Sequence, residues 1–223
     1  MLRVRGVMLV PPENRAYRDF CARQKQYNQP LGQRTGFTAM HRLPYVLEKA
    51  ARAHLEQSVP LMPQRILTYE QAERGRWLRR YREIDAVAGA ACQPTTLFEV
   101  KVGHGRFARA FKQLKTSAEI LEAGGKVGLA LVVVFVRFDD DDVPLEELPA
   151  DVRVIDDLVQ LATVSSSGQR PLLLLSARQL WETAVASGQV ADEALWNEAR
   201  AEYFAAKPLE VGRELPEEAH PLV

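Results

Sequence analysis

Residues 81–88 read Tyr-Arg-Glu-Ile-Asp-Ala-Val-Ala, and residues 96–103 read Thr-Leu-Phe-Glu-Val-Lys-Val-Gly. Side chains on a strand alternate between faces, so Glu83 and Asp85 share one face of the first segment. In the second, Glu99 and Lys101 share a face while Phe98, Val100 and Val102 share the other. β-Branched and aromatic content marks both segments as strands, and Gly89 and the Gln93-Pro94 pair are the turn signals between them. Burying a carboxylate and a lysine in an otherwise apolar strand is costly unless they are paired or bound to a cation. The two strands therefore predict a sheet with one face in the core and an opposite face carrying two carboxylates and an ammonium.

Working outward, strands are predicted over 66–69, 77–88 and 96–103. Residues 41–55 have helical spacing, with Leu43, Val46, Leu47, Ala50, Ala51 and His54 on one stripe and Pro44 in the first turn, where its missing N–H costs little. Residues 14–27 form an earlier helix capped by Asn14, with Tyr17, Phe20, Cys21 and Gln24 on one side. Residues 106–122 form a helix whose apolar face holds Phe107, Ala110, Phe111, Leu114 and Ala118; Gly124-Gly125 stops it. Residues 127–138 are a continuous apolar run, the pattern of a central strand covered on both faces. Short strands are expected at 152–155 and 172–175, and helices near 158–163, 178–186 and 192–204. The expected fold is a mixed α/β sheet flanked by helices. One domain spans 1–205, with a core at 41–138, a helical extension at 1–40, further elements at 139–205 and a tail at 206–223.

The 223 residues are 47% apolar and 26% charged, a globular composition that excludes wholesale disorder. The short apolar run at 7–10 ends at Pro11-Pro12, too short for a signal segment or a membrane span, so a soluble cytoplasmic protein is expected. Cys21 and Cys92 have no Cys or His neighbours at a zinc spacing and belong to no disulfide framework. Formal net charge is zero, yet residues 1–115 carry 21 Lys/Arg against 9 Asp/Glu and residues 139–223 carry 6 against 18. Such asymmetry predicts a basic and an acidic face if the segments stay apart, and it offers the acidic part as a surface for a homodimer or a protein partner.

Adjacent carboxylates are hard oxygen ligands suited to Mg²⁺ or Mn²⁺, which need only one or two of them beside water and phosphate oxygens. A lysine nearby can orient a water or stabilise charge developing on phosphorus. At this point the chain resembles the PD-(D/E)XK, or restriction-endonuclease-like, nuclease superfamily, whose pattern is an Asp on one strand and (Asp/Glu)-X-Lys on the next: here Asp85 and Glu99-Val100-Lys101. The resemblance covers about residues 41–138. It implies a restriction-endonuclease-like core and a metal-dependent nuclease acting on nucleic acid, DNA rather than RNA. Glu48 matches the helix Glu that many members place before the sheet, with Glu56 as a weaker match, so the implied metal ligands are Glu48, Asp85 and Glu99. The implied catalytic set is Asp85, Glu99, Lys101 and Gln113, the last matching a Gln on the helix after the second motif. Ile84 stands where the name-giving Pro would be, and no subfamily pattern is present.

Glu-X-Lys alone is common on exposed strands, where it makes weak solvated contacts; the specificity lies in the combination. His104, Arg106, Arg109 and Lys112 are candidates for nucleic-acid contact, with a solvated helix face as the alternative for the basic series that continues to Lys115. The arginines at 74, 76, 79, 80 and 82 must split between two strand faces, so they cannot all touch one ligand. Asp139 to Asp142 lacks the Gly and spacing of a calcium loop and reads as a solvated turn. The alternative function is a catalytically inactive nuclease-fold module that binds nucleic acid or a protein partner. No nucleophile elbow, P-loop or dinucleotide fingerprint points to another enzyme class.

Overall fold

The computed structural model describes residues 3–28, 39–90, 93–102, 107–138, 148–161, 164, 167–188 and 193–206. The apolar run 130–137 becomes β6 (Ala130–Arg137), with Val132 to Val136 all buried. On one side it pairs in parallel with β5 (Gln93–Val102), which in turn pairs antiparallel with β4 (Ala86–Ala90). On its other side lie β8 (Arg170–Ser176) and then β7 (Val152–Ile155), both parallel to it. The order is β4-β5-β6-β8-β7.

Both faces are covered, as a central strand of continuous apolar residues requires. One face, with Phe98, Val100, Val132 and Val134, packs on Leu43, Leu47 and Ala50 of α2 (Ala39–Ser58), on Leu180 and Trp181 of α4 (Ala177–Ala186) and on Trp196 of α5 (Glu193–Ala206). The other face, with Val87, Leu97 and Val133, packs on Ala110, Phe111, Leu114 and Ala118 of α3 (Phe107–Ala123). Gly125, at φ 86°, ends α3: Lys126 N–H donates to Leu121 O at 3.0 Å and Gly125 N–H to Glu122 O at 2.9 Å, the paired bonds of a Schellman stop.

A second, antiparallel sheet has the order β1-β2-β3: β1 (Val4–Val10), β2 (Ile66–Glu73) and β3 (Arg76–Glu83). Its β1 lies in the stretch read as a helical extension; residues 4–10 are only half covered, so no clean alternation marks them. Here α1 (Arg15–Asn28) packs Tyr17 and Phe20 against Tyr81 of β3. The Asn14 cap forms, with Tyr17 N–H donating to its Oδ1 at 3.2 Å.

Several local expectations change. The single strand expected at 77–88 is two strands in two sheets, broken at Ile84-Asp85. Gln93 and Pro94 belong to β5, not to a turn, in a stretch flanked by β4 alone, where a missing N–H is tolerated. Gly89 lies within β4 at a register shift, and an added Cβ there would stand 2.1 Å from Gln93 O. Val127 is 81% exposed, ahead of β6. Because α2 begins at Ala39, Pro44 falls in its second turn, and His54 is exposed rather than on the buried stripe. Cys21 is a free, half-buried thiol. Cys92, Asp139 to Asp142 and residues 207–223 of the expected tail lie outside the described residues, and Ala206 ends α5. Among the described residues, no helix is long and apolar enough to cross a membrane.

Candidate active site

The break between β3 and β4 creates the site. At Ile84-Asp85 the chain leaves one sheet for the other, and Ile84 anchors the crossing by being buried against Leu67 and Val87. Asp85 then stands where β4 would continue alongside β5. Its Oδ2 accepts the Val100 N–H at 2.7 Å, so a side chain satisfies a ladder donor left without a strand partner. Its backbone oxygen accepts from Arg52 Nη1 at 3.1 Å, and Arg52 Nη2 donates to Met62 O at 3.1 Å, which ties the crossing to α2.

Glu99 and Lys101 share a face of β5, as the alternation predicts. That face is not free: Leu97 on it is fully buried, and Glu99 is only 8% exposed. Lys101 Nζ donates to Glu99 Oε1 at 2.5 Å, which offsets the cost of holding the carboxylate there. From the opposite helix, Gln113 of α3 brings a side-chain oxygen, Oε1, that is buried and accepts no hydrogen bond among the described residues. Its position is set through β3: Arg82 Nη2 donates to Gln113 O at 2.9 Å and Arg82 Nε to Ser117 Oγ at 2.7 Å.

Glu48, Asp85, Glu99 and Gln113 border an open pocket of about 740 Å³, with Lys101 bonded to Glu99 behind that wall's lining. Tyr45, Lys49 and Arg52, from the same face of α2 as Glu48, extend one wall, and Arg65 and Glu83 extend another. Arg65 Nη1 and the Tyr17 hydroxyl both donate to the Glu83 carboxylate, the latter at 3.1 Å. Burial, reinforced by Glu83, holds the Tyr17 phenol above its usual range.

The carboxylates sense one another. Burial first, then the charge of Glu99 and that of Glu48, push Asp85 up to about 7, against the opposing pull of the Val100 N–H and Lys101. Glu48 is also raised, by burial first and then by Glu99 and Glu83, while Lys101 and Arg65 oppose. This is a site short of positive charge. Among the described residues no group of three His, Cys, Asp or Glu side chains forms a complete ligand set. A Mg²⁺-like ion asks for only one or two carboxylates, so Asp85 and Glu99, with a buried Gln113 oxygen that accepts nothing among the described residues, fit such an ion in their donor chemistry.

Of the residues expected from sequence, Glu48, Asp85, Glu99, Lys101 and Gln113 therefore come together. Glu56 is exposed and does not line the pocket, and Arg109 and Lys112 are exposed on α3 away from the lining. His104 and Arg106 lie outside the described residues. Arg52 and Tyr45 were legible in principle, at i+4 and i−3 from Glu48 on one helix face. Arg65 and Arg82 carried no such signal, because their partners lie across separate strands and helices. No family model, curated protein or solved structure matches the chain.

Proposed function

We propose that the chain is a metal-dependent nuclease with a restriction-endonuclease-like core, hydrolysing phosphodiester bonds of nucleic acid, DNA in the first instance. The observation that carries this reading is that Asp85 and Glu99 border one pocket with Gln113, whose buried side-chain oxygen accepts no hydrogen bond among the described residues, while Lys101 is bonded to Glu99. The order of α2, strands, α3 and β6 also agrees with the resemblance.

Asp85 and Glu99, with Glu48 beside them, would hold Mg²⁺ or Mn²⁺. When bound, such an ion supplies Lewis-acid polarisation of a phosphodiester and lowers the pKa of a water. Lys101, held against Glu99, places an ammonium beside the carboxylate pair, where it orients the attacking water and stabilises negative charge as the phosphorus becomes five-coordinate. Gln113 Oε1 accepts a hydrogen of that water and so aims its lone pair. The water gives up a proton to solvent as its oxygen forms the new P–O bond, the opposite P–O bond breaks, and the leaving alkoxide takes a proton from solvent.

The test is cleavage of labelled DNA and RNA by the full chain with Mg²⁺, with Mn²⁺ and with a chelator. Metal-dependent cleavage lost in both Asp85→Asn and Lys101→Met is the expected result. Cleavage retained in both variants overturns the assignment. An inert wild type whose melting temperature ignores Mn²⁺ identifies the chain as a non-catalytic binding module instead.

A further inference from the structure

We propose that the β2–β3 hairpin is a nucleic-acid-gripping arm that holds the phosphodiester backbone at a distance from the carboxylate site. It rests on the nuclease reading only for the identity of its ligand. The hairpin pairs in unbroken register from Ile66↔Glu83 to Glu73↔Arg76 and closes on Arg74-Gly75, with φ of 48° and 77°. Two consecutive positive φ values are the geometry of a tight hairpin turn that keeps the strand twist, so the arm is stiff.

The arm is arginine-rich and open. Arg74, Arg76, Trp77, Leu78 and Arg79 are all exposed, Trp77 and Leu78 at 40% each. Arg5 from β1 lies over the Trp77 ring at 4.2 Å and pairs with Glu70 at 2.8 Å, while Arg79 approaches the same Glu70 at 3.9 Å. On the other face Arg80 pairs with Glu73 at 2.7 Å. Arg5, Arg76, Arg79 and Arg80 thus outnumber Glu70 and Glu73, and the excess positive charge lies along an edge strand that also exposes the Trp77 ring.

Distance along the strand also separates the arginines' duties. Arg82, on the same strand, bonds α3 and positions Gln113, so it supports the pocket wall and is not part of the arm. Arg76 and Arg79, exposed on opposite faces of this edge strand, are the arginines that a backbone running along the edge can reach. Arginine is the side chain suited to phosphate, and β3 leads directly from these residues to Asp85. Eight residue steps separate Trp77 from Asp85, at most about 26 Å at 3.3 Å per residue, the span of about eight nucleotides along a duplex strand. A second copy of the chain is the less fitting occupant, since edge-to-edge pairing of β3 would bring like charges together.

The test uses the full-length Asp85→Asn protein in chelator, with fluorescence anisotropy on 30-residue duplex DNA, single-stranded DNA and duplex RNA across a salt series. Adding Arg76→Ala and Arg79→Ala is expected to weaken binding at least tenfold at fixed salt and to reduce the slope of log K against log salt by about two, at unchanged circular dichroism and melting temperature. The form of nucleic acid on which the loss is largest identifies the ligand. Trp77→Ala, which frees Arg5, is expected to weaken binding by a smaller factor. Unchanged affinity and slope in the double-arginine variant overturn the arm, as does loss of self-association or of protein binding without loss of nucleic-acid binding. If wild type binds through the arm yet cleaves nothing, the arm stands and the nuclease reading falls.

Discussion

Asp85 and Val100 are joined as if Asp85 were a strand: its carboxylate accepts the Val100 N–H at 2.7 Å, at the point where β4 stops pairing with β5. One side chain therefore closes the sheet edge and faces the pocket. Removing it has two separable consequences. Asp85→Ala leaves the Val100 N–H without an acceptor, which costs about 1–3 kcal/mol. Asp85→Asn keeps an acceptor and removes the charge. We expect cleavage to be lost in both, but only Asp85→Ala to lower the urea midpoint substantially. Equal destabilisation by the two variants would show that the carboxylate charge, not the acceptor, holds the edge.

The raised Asp85 also sets a pH dependence of stability in the metal-free protein. Its carboxyl titrates near 7 when folded and near 3.9 when unfolded. Between those values the folded chain holds a proton that the unfolded chain has released. Stability is therefore greatest below the lower value and falls as pH rises through the window, by roughly 1.4 kcal/mol per pH unit at most. Melting temperatures in chelator from pH 4.5 to 8 should show this fall in wild type, and the difference from Asp85→Asn should isolate it. A wild-type curve parallel to that of Asp85→Asn would refute the shift.

Lys101 has two roles that a double variant separates. Lys101→Met strands the nearly buried Glu99 carboxylate and should cost about 1–3 kcal/mol, from the loss of a hydrogen bond between charged partners. Adding Glu99→Gln removes the stranded charge and should recover most of that stability. Activity should not recover: single-turnover cleavage by Lys101→Met should fall at least 100-fold, and the double variant should be no faster. Recovery of cleavage in the double variant would place the chemistry elsewhere.

Arg82 acts through Gln113 without lining the pocket. It bonds the Gln113 carbonyl and the Ser117 hydroxyl, fixing α3 to β3. Arg82→Met should lower the cleavage rate about tenfold while leaving nucleic-acid affinity within twofold, because it displaces a water-orienting oxygen and not a phosphate contact. Equal loss in Gln113→Ala and in the Arg82→Met/Gln113→Ala double variant, measured as single-turnover rates, would confirm that the two act as one unit.

The legible parts of this fold are those where one physical pattern dominates. Continuous apolar residues marked β6, and helical spacing marked α2 and α3 with their buried Leu47, Ala50, Phe111 and Leu114. Alternation placed Glu99 and Lys101 together because β5 is regular there. It failed at Asp85, since no Gly or Pro announces the break at Ile84-Asp85; the crossing is held by burial of Ile84 and by Arg52 from a distant helix. It failed again for β1, whose burial alternates irregularly across a register shift between Arg5 and Met8. Arg65 and Arg82 were silent because a guanidinium's partner is chosen by tertiary distance, not by spacing.

The join between α3 and the smaller sheet yields a last prediction. At Gly124 an added Cβ would stand 2.6 Å from Val7 Cβ and 2.9 Å from its Cγ1, both closer than van der Waals contact allows. Val7 is on β1, whose backbone is tied to β2, so it has little room to retreat. Gly124→Ala should therefore cost about 1–3 kcal/mol as an overpacked contact. Gly125→Ala meets nothing within 4 Å but must hold φ 86°, so it should cost about 1 kcal/mol from backbone strain alone. Hydrogen exchange distinguishes the two mechanisms. Gly124→Ala should speed exchange in residues 4–10 more than in β6, because the clash pushes on β1 directly. Gly125→Ala should instead loosen the last turn of α3, whose carbonyls at Leu121 and Glu122 depend on that glycine's conformation. Protection of β1 unchanged in Gly124→Ala would mean that the smaller sheet does not lean on α3 through this contact.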